Sequence, residues 1–102
     1  MAHVVFRKQA LADLENLYIY IRDHDGGTVN AYGFVQRIRV CCQGLTDFPE
    51  RGTRRNDIRP GLRILSFERR VIIAFEIRND TVRIGRILYG GRNYERLLKR
   101  GR

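Results

Sequence analysis

Lysine, histidine, cysteine and proline are all scarce in this chain, with two of each among 102 residues. Each shortage excludes something. The cysteines, Cys41 and Cys42, are adjacent. Neighbours on a helix point about 100° apart, so they cannot easily bridge each other. His3 and His24 stand far from them, and no zinc-type spacing exists. The cysteines therefore read as small, half-buried side chains in a reducing compartment. His3 falls in a first strand and His24 at a helix exit, neither within a Cys, Asp or Ser pattern that supports catalysis. Long apolar runs are missing too. No segment approaches the ~20 residues that span a bilayer. The start, Met1 to Arg7, lacks the apolar stretch and cleavage site of a secretory signal. The expectation is a cytoplasmic protein with no membrane association, no metal and no cofactor.

The scarcity of lysine is informative because basic charge is abundant. Eighteen of the twenty basic residues are arginine. Arginine makes forked contacts to carboxylate and phosphate, whereas lysine is the usual choice for plain solubility. The charge is also one-sided. Residues 1–50 carry five basic and six acidic side chains, whereas residues 51–102 carry fifteen basic and five acidic, and the whole chain is at +9. Such a field attracts phosphates and acidic polypeptides.

The length fits one domain, 1–102, with 43% hydrophobic residues to fill a modest core. His3 to Arg7 reads as a strand. From about Gln9, Leu11, Leu14, Tyr18 and Ile21 recur at helical spacing with Leu17 on the flank, and Asp23 to Gly27 ends that helix. Thr28 is placed to cap a second helix bearing Ala31, Val35, Ile38, Cys42 and Leu45, which Pro49 stops. The short connection makes the two helices an antiparallel hairpin. Residues 49–61 hold both prolines and two glycines and read as loop. Strands follow at Leu62–Phe67, Val71–Ile77 and Thr81–Tyr89, with Asn79-Asp80 as a two-residue hairpin turn.

In the last strand Val82 and Ile84 share one face, while Arg83, Gly85, Ile87 and Tyr89 belong to the other. Arg86 and Leu88 disturb that alternation, and Gly85 marks a candidate bulge. Residues 93–100 make either a short helix or a frayed tail. The fold class is α+β, in the order β-α-α-β-β-β, with the hairpin on one sheet face. Loops and the tail alone are left for the other face, where Arg63, Arg69, Arg70, Arg83 and Arg86 suggest a positive groove.

Gly90-Gly91 lacks the Gly-Lys-Ser/Thr spacing of a phosphate loop and reads as a tight reversal. The Arg54-Arg55-X-X-X-Arg59 cluster is either a solvated loop or a set of guanidinium groups for a phosphate backbone or an acidic peptide. Tyr18, Tyr20 and Tyr32 suit packing at the helices. Tyr89 and Tyr94 flank the Gly-Gly-Arg turn, where packing competes with stacking on a base or proton donation.

Taken in order, Ala12-Asp13-Leu14, Ile19-Tyr20-Ile21, Ala31…Phe34…Ile38, Leu45…Phe48-Pro49…Gly52, Leu62-Arg63, strand 71–77 and Arg86-Ile87-Leu88-Tyr89-Gly90-Gly91-Arg92 resemble the ParE/RelE toxin superfamily over nearly the whole chain. The resemblance implies a toxin of a type II toxin–antitoxin module. It implies a cognate antitoxin with a DNA-binding N-terminal domain and an acidic amphipathic C-terminal segment, for which Leu17, Tyr20, Tyr32, Arg63 and Arg70 are candidate contacts.

Two activities occur in the superfamily. The ribonuclease branch cuts messenger RNA on the ribosome, and its chemistry would here fall to Arg63, Arg70, Arg92 and Tyr89 or Tyr94. The ParE branch inhibits DNA gyrase by binding, without catalysis. Its final strand typically ends in a Leu-His-Gly-X-Arg-like turn, which Leu88-Tyr89-Gly90-Gly91-Arg92 resembles with Tyr for His. The expectation is a ParE-type gyrase inhibitor with target contacts at Arg54, Arg55, Arg59, Arg83, Arg86 and Arg92. A ribosome-dependent endoribonuclease is the alternative. A small basic nucleic-acid-binding module is weaker, because exposed aromatics with an RNA-binding signature are absent from the strands.

Overall fold

The computed structural model describes residues 3–24, 26–68, 70–90 and 94–100. Its elements are β1 (His3–Phe6), α1 (Lys8–His24), α2 (Gly27–Gln43), a 3-10 turn (Gly44–Thr46), β2 (Thr53–Arg54), β3 (Arg63–Phe67), β4 (Val71–Arg78), β5 (Thr81–Tyr89) and α3 (Tyr94–Arg100). The strands form one mixed sheet in the order β1-β5-β4-β3-β2. β1 runs parallel to β5, and every other pairing is antiparallel. The expected α+β architecture is therefore present, with one strand more than the sequence suggested.

The β4–β5 connection forms as the sequence predicts. Asn79 and Asp80 both have positive φ (46° and 65°) between the paired Arg78 and Thr81. Two left-handed residues give a turn whose twist matches that of the strands. Gly85 is the extra residue of a bulge, since Ala74 pairs with Arg86 while Phe75 pairs with Ile84. This corrects the assignment of faces in β5. Past the bulge the parity changes, so Ile87 and Tyr89 join Val82 and Ile84 over the helices, while Leu88 packs on the opposite side.

α1 and α2 cover one face. Their core stripe is Ala10, Leu14, Leu17 and Ile21 with Ala31, Ile38 and Cys42. The expected phase of α1 was off by a fraction of a turn. Leu11 is 45% exposed, and Ala10, small enough for close approach, takes the buried place. Leu17 is a core residue, 5% exposed, rather than the docking contact expected of it. Thr28 does not cap α2. The helix begins at Gly27 with Gly26 at its N-cap (φ 120°) and no side-chain cap bond. Nor does Pro49 end it. α2 stops at Gln43, and the 3-10 turn that follows drives Leu45 fully into the core.

The second face is not bare. Leu62, Ile64, Ala74 and Leu88 form a smaller core under Leu98 of α3, with Ile58, Ile72, Tyr94 and Leu97 around it. The tail is thus a helix that covers this part of the sheet. Segment 49–61 also hides the two-residue β2. Gly52 enters it at φ +86°, where an added Cβ would lie 2.5 Å from the Ile64 carbonyl oxygen.

β1 pairs with β5 only as far as Ile84. Beyond the bulge, the edge of β5 faces α1. There Asp13 accepts the Ile87 backbone N–H at 2.8 Å and a fork from Arg86, Nε at 2.8 Å and Nη2 at 3.2 Å. The Asp13 side chain is 9% exposed. An edge N–H and a guanidinium are satisfied by one nearly buried carboxylate. Asp13→Ala should cost about 2–3 kcal/mol in urea unfolding, because it strands both partners. Asp13→Asn should cost less, since an amide oxygen still accepts the Ile87 N–H. Gly52→Ala should cost at least ~1 kcal/mol, from its positive φ and the close carbonyl.

Candidate functional site

The arginines divide into two groups by their partners. Several are locked within the chain. Arg86 is held by Asp13, as above. Arg37 forks onto Glu68 at 2.9 and 3.1 Å and lies 5.2 Å over the Phe34 ring, tying α2 to the β3–β4 turn. Glu68 is drawn below the ordinary carboxylate range by that hydrogen bond. Arg55 grips Asp57 at 3.0 and 2.8 Å, reaches Glu95 of α3, and donates to the Tyr94 hydroxyl at 2.9 Å. Its hydrogen bonds hold Asp57 down to about 2, while Asp57 and Glu95 raise Arg55 itself. Arg59 pairs with Glu76 at 3.4 Å, and Glu76 also takes Arg78 at 3.7 Å.

A second group has no carboxylate partner among the described residues. It includes Arg54, Arg83 and Arg7, together with Arg63, whose Nη1 donates to the Glu50 backbone oxygen at 2.9 Å. Of the expected target contacts, Arg54 and Arg83 therefore form no ion pair among the described residues, although Glu76 lies directly opposite Arg83 on β4. Arg55, Arg59 and Arg86 have theirs engaged inside the fold. Arg92 lies outside the described residues, as does Arg69.

The aromatic residues collect at the opposite end of the sheet. Tyr20, 49% exposed, stacks on His24 with centroids 4.5 Å apart and lies 5.8 Å from Tyr89. Phe34 meets Tyr89 at 6.0 Å and Phe67 at 6.2 Å, both edge-on. Arg70 donates to the Tyr89 hydroxyl at 3.1 Å. Tyr20, Arg70 and Tyr89 are thus brought together, and Tyr20 and Tyr89 line a cleft of about 530 Å³ between α1 and the end of β5. Tyr32 lies apart on the outer side of α2, 60% exposed. Val29 and Val40 are exposed on the same helix.

The residues named for ribonuclease chemistry are dispersed. Tyr89 pairs with Val71 of β4, and Arg63 pairs with Phe75, four positions further along that strand. That separation is ~13 Å. Tyr94 is a third location, bound to Arg55. A general acid or base has to lie within ~3 Å of the proton it moves, or one water away. Arg70 and Tyr89 are the one close pair within that set among the described residues.

Sequence reasoning missed Asp13 and Phe34 as organisers. For Asp13 a signal existed, because position 13 lies on the helical side of Ala10, Leu14 and Leu17, where an acid needs a partner. Both cysteines are free, and burial pushes the Cys42 thiol up to about 12 and Cys41 upward as well, away from nucleophilic use. Among the described residues, no three His, Cys, Asp or Glu side chains are grouped to hold a metal ion. No helix there is long and apolar enough to cross a membrane.

The architecture defines the class first: an α+β domain with a helical hairpin on a mixed five-stranded sheet and a short C-terminal helix. The family model described as "ParE toxin of type II toxin-antitoxin system, parDE" matches residues 4–94, and the chain belongs to that family. Solved structures agree. One described as "Chromosomal ParDE TA system from P. aeruginosa" superposes with a TM-score of 0.77 at 27% identity, covering 87% of this chain and 96% of that one. A comparison with curated proteins gives no match.

The Arg55 junction carries a pH dependence. Asp57 is depressed from 3.8 to about 2, so its contribution is in place above pH ~4 and is lost as pH falls through 2. Protection factors of the α3 amides, corrected for the intrinsic exchange rate at each pH, should therefore fall between pH 4 and pH 2 in the native protein. In Arg55→Gln that acid-range change should shrink, with α3 already exchanging faster at pH 6.

Proposed function

We propose that this ParE-family toxin acts by binding DNA gyrase and blocking supercoiling, without turning over a substrate of its own. The observation that carries this reading is the dispersal of its polar groups. Arg63 and Tyr89 stand at opposite ends of the sheet, and Tyr94 is held by Arg55. Recognition tolerates contacts spread over a surface, whereas phosphodiester cleavage requires them around one phosphate. Arg54 and Arg83, which form no ion pair among the described residues, would supply charge toward the target, with Arg92 as a further contact.

The toxin's partner would be a ParD-type antitoxin with a DNA-binding N-terminal domain. Its acidic amphipathic segment would cover the exposed apolar side chains Tyr20 and Tyr32 and reach Arg70 beside Tyr89. Arg63 is the fourth contact of that set. Leu17, being buried, would act through the shape of the hairpin.

Purified toxin should inhibit gyrase supercoiling in vitro, and Arg83→Glu should raise the half-inhibitory concentration about tenfold, or ~1.4 kcal/mol. Untouched supercoiling together with messenger RNA cut on ribosomes would reverse the assignment in favour of the endoribonuclease.

A further inference from the structure

Two arginines are direct cross-strand neighbours at the β2 edge of the sheet. Arg54 of β2 is directly opposite Arg63 of β3. The next pair along is hydrogen-bonded, with the Arg55 N–H donating to the Leu62 oxygen at 2.8 Å. Arg54 and Arg63 therefore occupy a non-hydrogen-bonded position, where Cα atoms come within ~4.5 Å and side chains are closest. Like charges directly opposite are destabilising. No ion pair among the described residues joins either arginine, although the Glu50 carboxylate lines the same pocket. Arg63 uses one N–H on the Glu50 backbone oxygen, and the Glu50 carboxylate forms no ion pair with either arginine.

The two guanidinium groups line a pocket of about 330 Å³ with Glu50, Asn56, Gly61 and Ile77. Asn56 adds donors. Its Oδ1 accepts the Gly61 N–H at 2.9 Å, which fixes the amide orientation and leaves its NH2 as a donor group. Apart from the Glu50 carboxylate and the engaged Asn56 Oδ1, the side-chain polar groups lining the pocket are donors. Such a set matches an oxyanion, and the forked geometry of arginine matches phosphate.

We propose that the Arg54–Arg63 pocket binds a backbone phosphate of nucleic acid. The pocket is open, and one exposed ion contact is worth ~1 kcal/mol or less, so a lone phosphate ion would be held weakly. The contact gains force on a polyanion. The half of the chain that builds the pocket carries fifteen basic residues against five acidic, a field that gathers such polymers. The inference goes beyond gyrase inhibition and stands apart from it, because the toxin could block gyrase without touching nucleic acid.

The test is fluorescence anisotropy of the purified full-length toxin at several salt concentrations, without gyrase. The probes are a labelled DNA duplex, a labelled single-stranded RNA and, as competitor, polyglutamate. Arg54→Gln and Arg63→Gln should each weaken binding about fivefold and reduce the slope of log affinity against log salt by about one unit. Arg37→Gln removes the same charge elsewhere and should do neither. The preferred probe distinguishes DNA from RNA as the phosphate source.

Stability gives a second readout, since Arg54→Gln relieves the repulsion and should raise Tm. Equal loss of binding in all three variants would mean net charge alone. That result, no binding at low salt, or a lowered Tm in Arg54→Gln would overturn the proposal. Polyglutamate bound through Arg54 and Arg63 with no nucleic acid bound would overturn it as well, in favour of a carboxylate ligand.

Discussion

One carboxylate holds the two halves of the molecule in register. The parallel pairing of β1 with β5 ends at Ile84, and the bulge at Gly85 then turns the rest of β5 along α1. A strand edge buried against a helix would ordinarily leave an N–H without a partner. Asp13 takes it, and Arg86 neutralises the charge that Asp13 brings into a nearly dry place. The arrangement sets the depth at which α1 lies on the sheet. That depth fixes the stripe Ala10, Leu14, Leu17 and Ile21 as the buried one and leaves Leu11 outside. The aromatic corner depends on the same constraint, because Tyr20 lies along α1 from Asp13 and Tyr89 along β5 from Arg86. Their 5.8 Å contact exists only while the two elements keep their offset.

The arginine-rich composition takes on meaning from this division of labour. A guanidinium can fork onto a carboxylate and still pack its stem on apolar surface. Arg37 does both, across Glu68 and Phe34. Arg55, steadied by Asp57, joins the 49–61 segment to α3 through Glu95 and Tyr94. Lysine, with a compact and strongly hydrated charge, would serve these junctions poorly. So part of the basic excess is structural, and what remains for partners is narrower than the count of arginines suggests.

The sequence showed the order of elements because each strong signal was local. Asn79-Asp80 is a turn by its own backbone preferences, and Gly85 is a bulge where alternation fails. What stayed hidden was non-local. β2 is two residues long and exists because Gly52 lets the chain approach the Ile64 carbonyl, a contact no pattern within 49–61 announces. The phase of α1 was misjudged because Leu11 and Leu14 fit a stripe as well as Ala10 and Leu14 do, and the choice is made by the sheet. The groove expected on the second face was largely an artefact of leaving α3 unplaced. Once Leu98 is seen over Leu62 and Ile64, the exposed charge shifts to the β2–β3 end. Membership of the ParE family was legible in the series of motifs, whereas the locked state of Arg86 and the tie of Arg55 to α3 were not, since Asp13 and Glu95 lie 73 and 40 positions away.

Ladder geometry also bears on what kind of function such a sheet can support. Residues four apart on one strand are separated by ~13 Å, too far to share a phosphate and well suited to separate contacts on an extended partner. The groups in this chain obey that spacing: an aromatic corner with Arg70 and Tyr89 at one end, and an arginine pair at the other. The end with the repelling pair carries a cost in the free protein that a bound anion would remove. Natural folds keep such unfavourable pairs where a partner relieves them, in the same way that strain persists at sites of recognition. Affinity for an anionic partner and a cost of ~1 kcal/mol or less to the isolated chain are then two consequences of a single choice of side chains at positions 54 and 63.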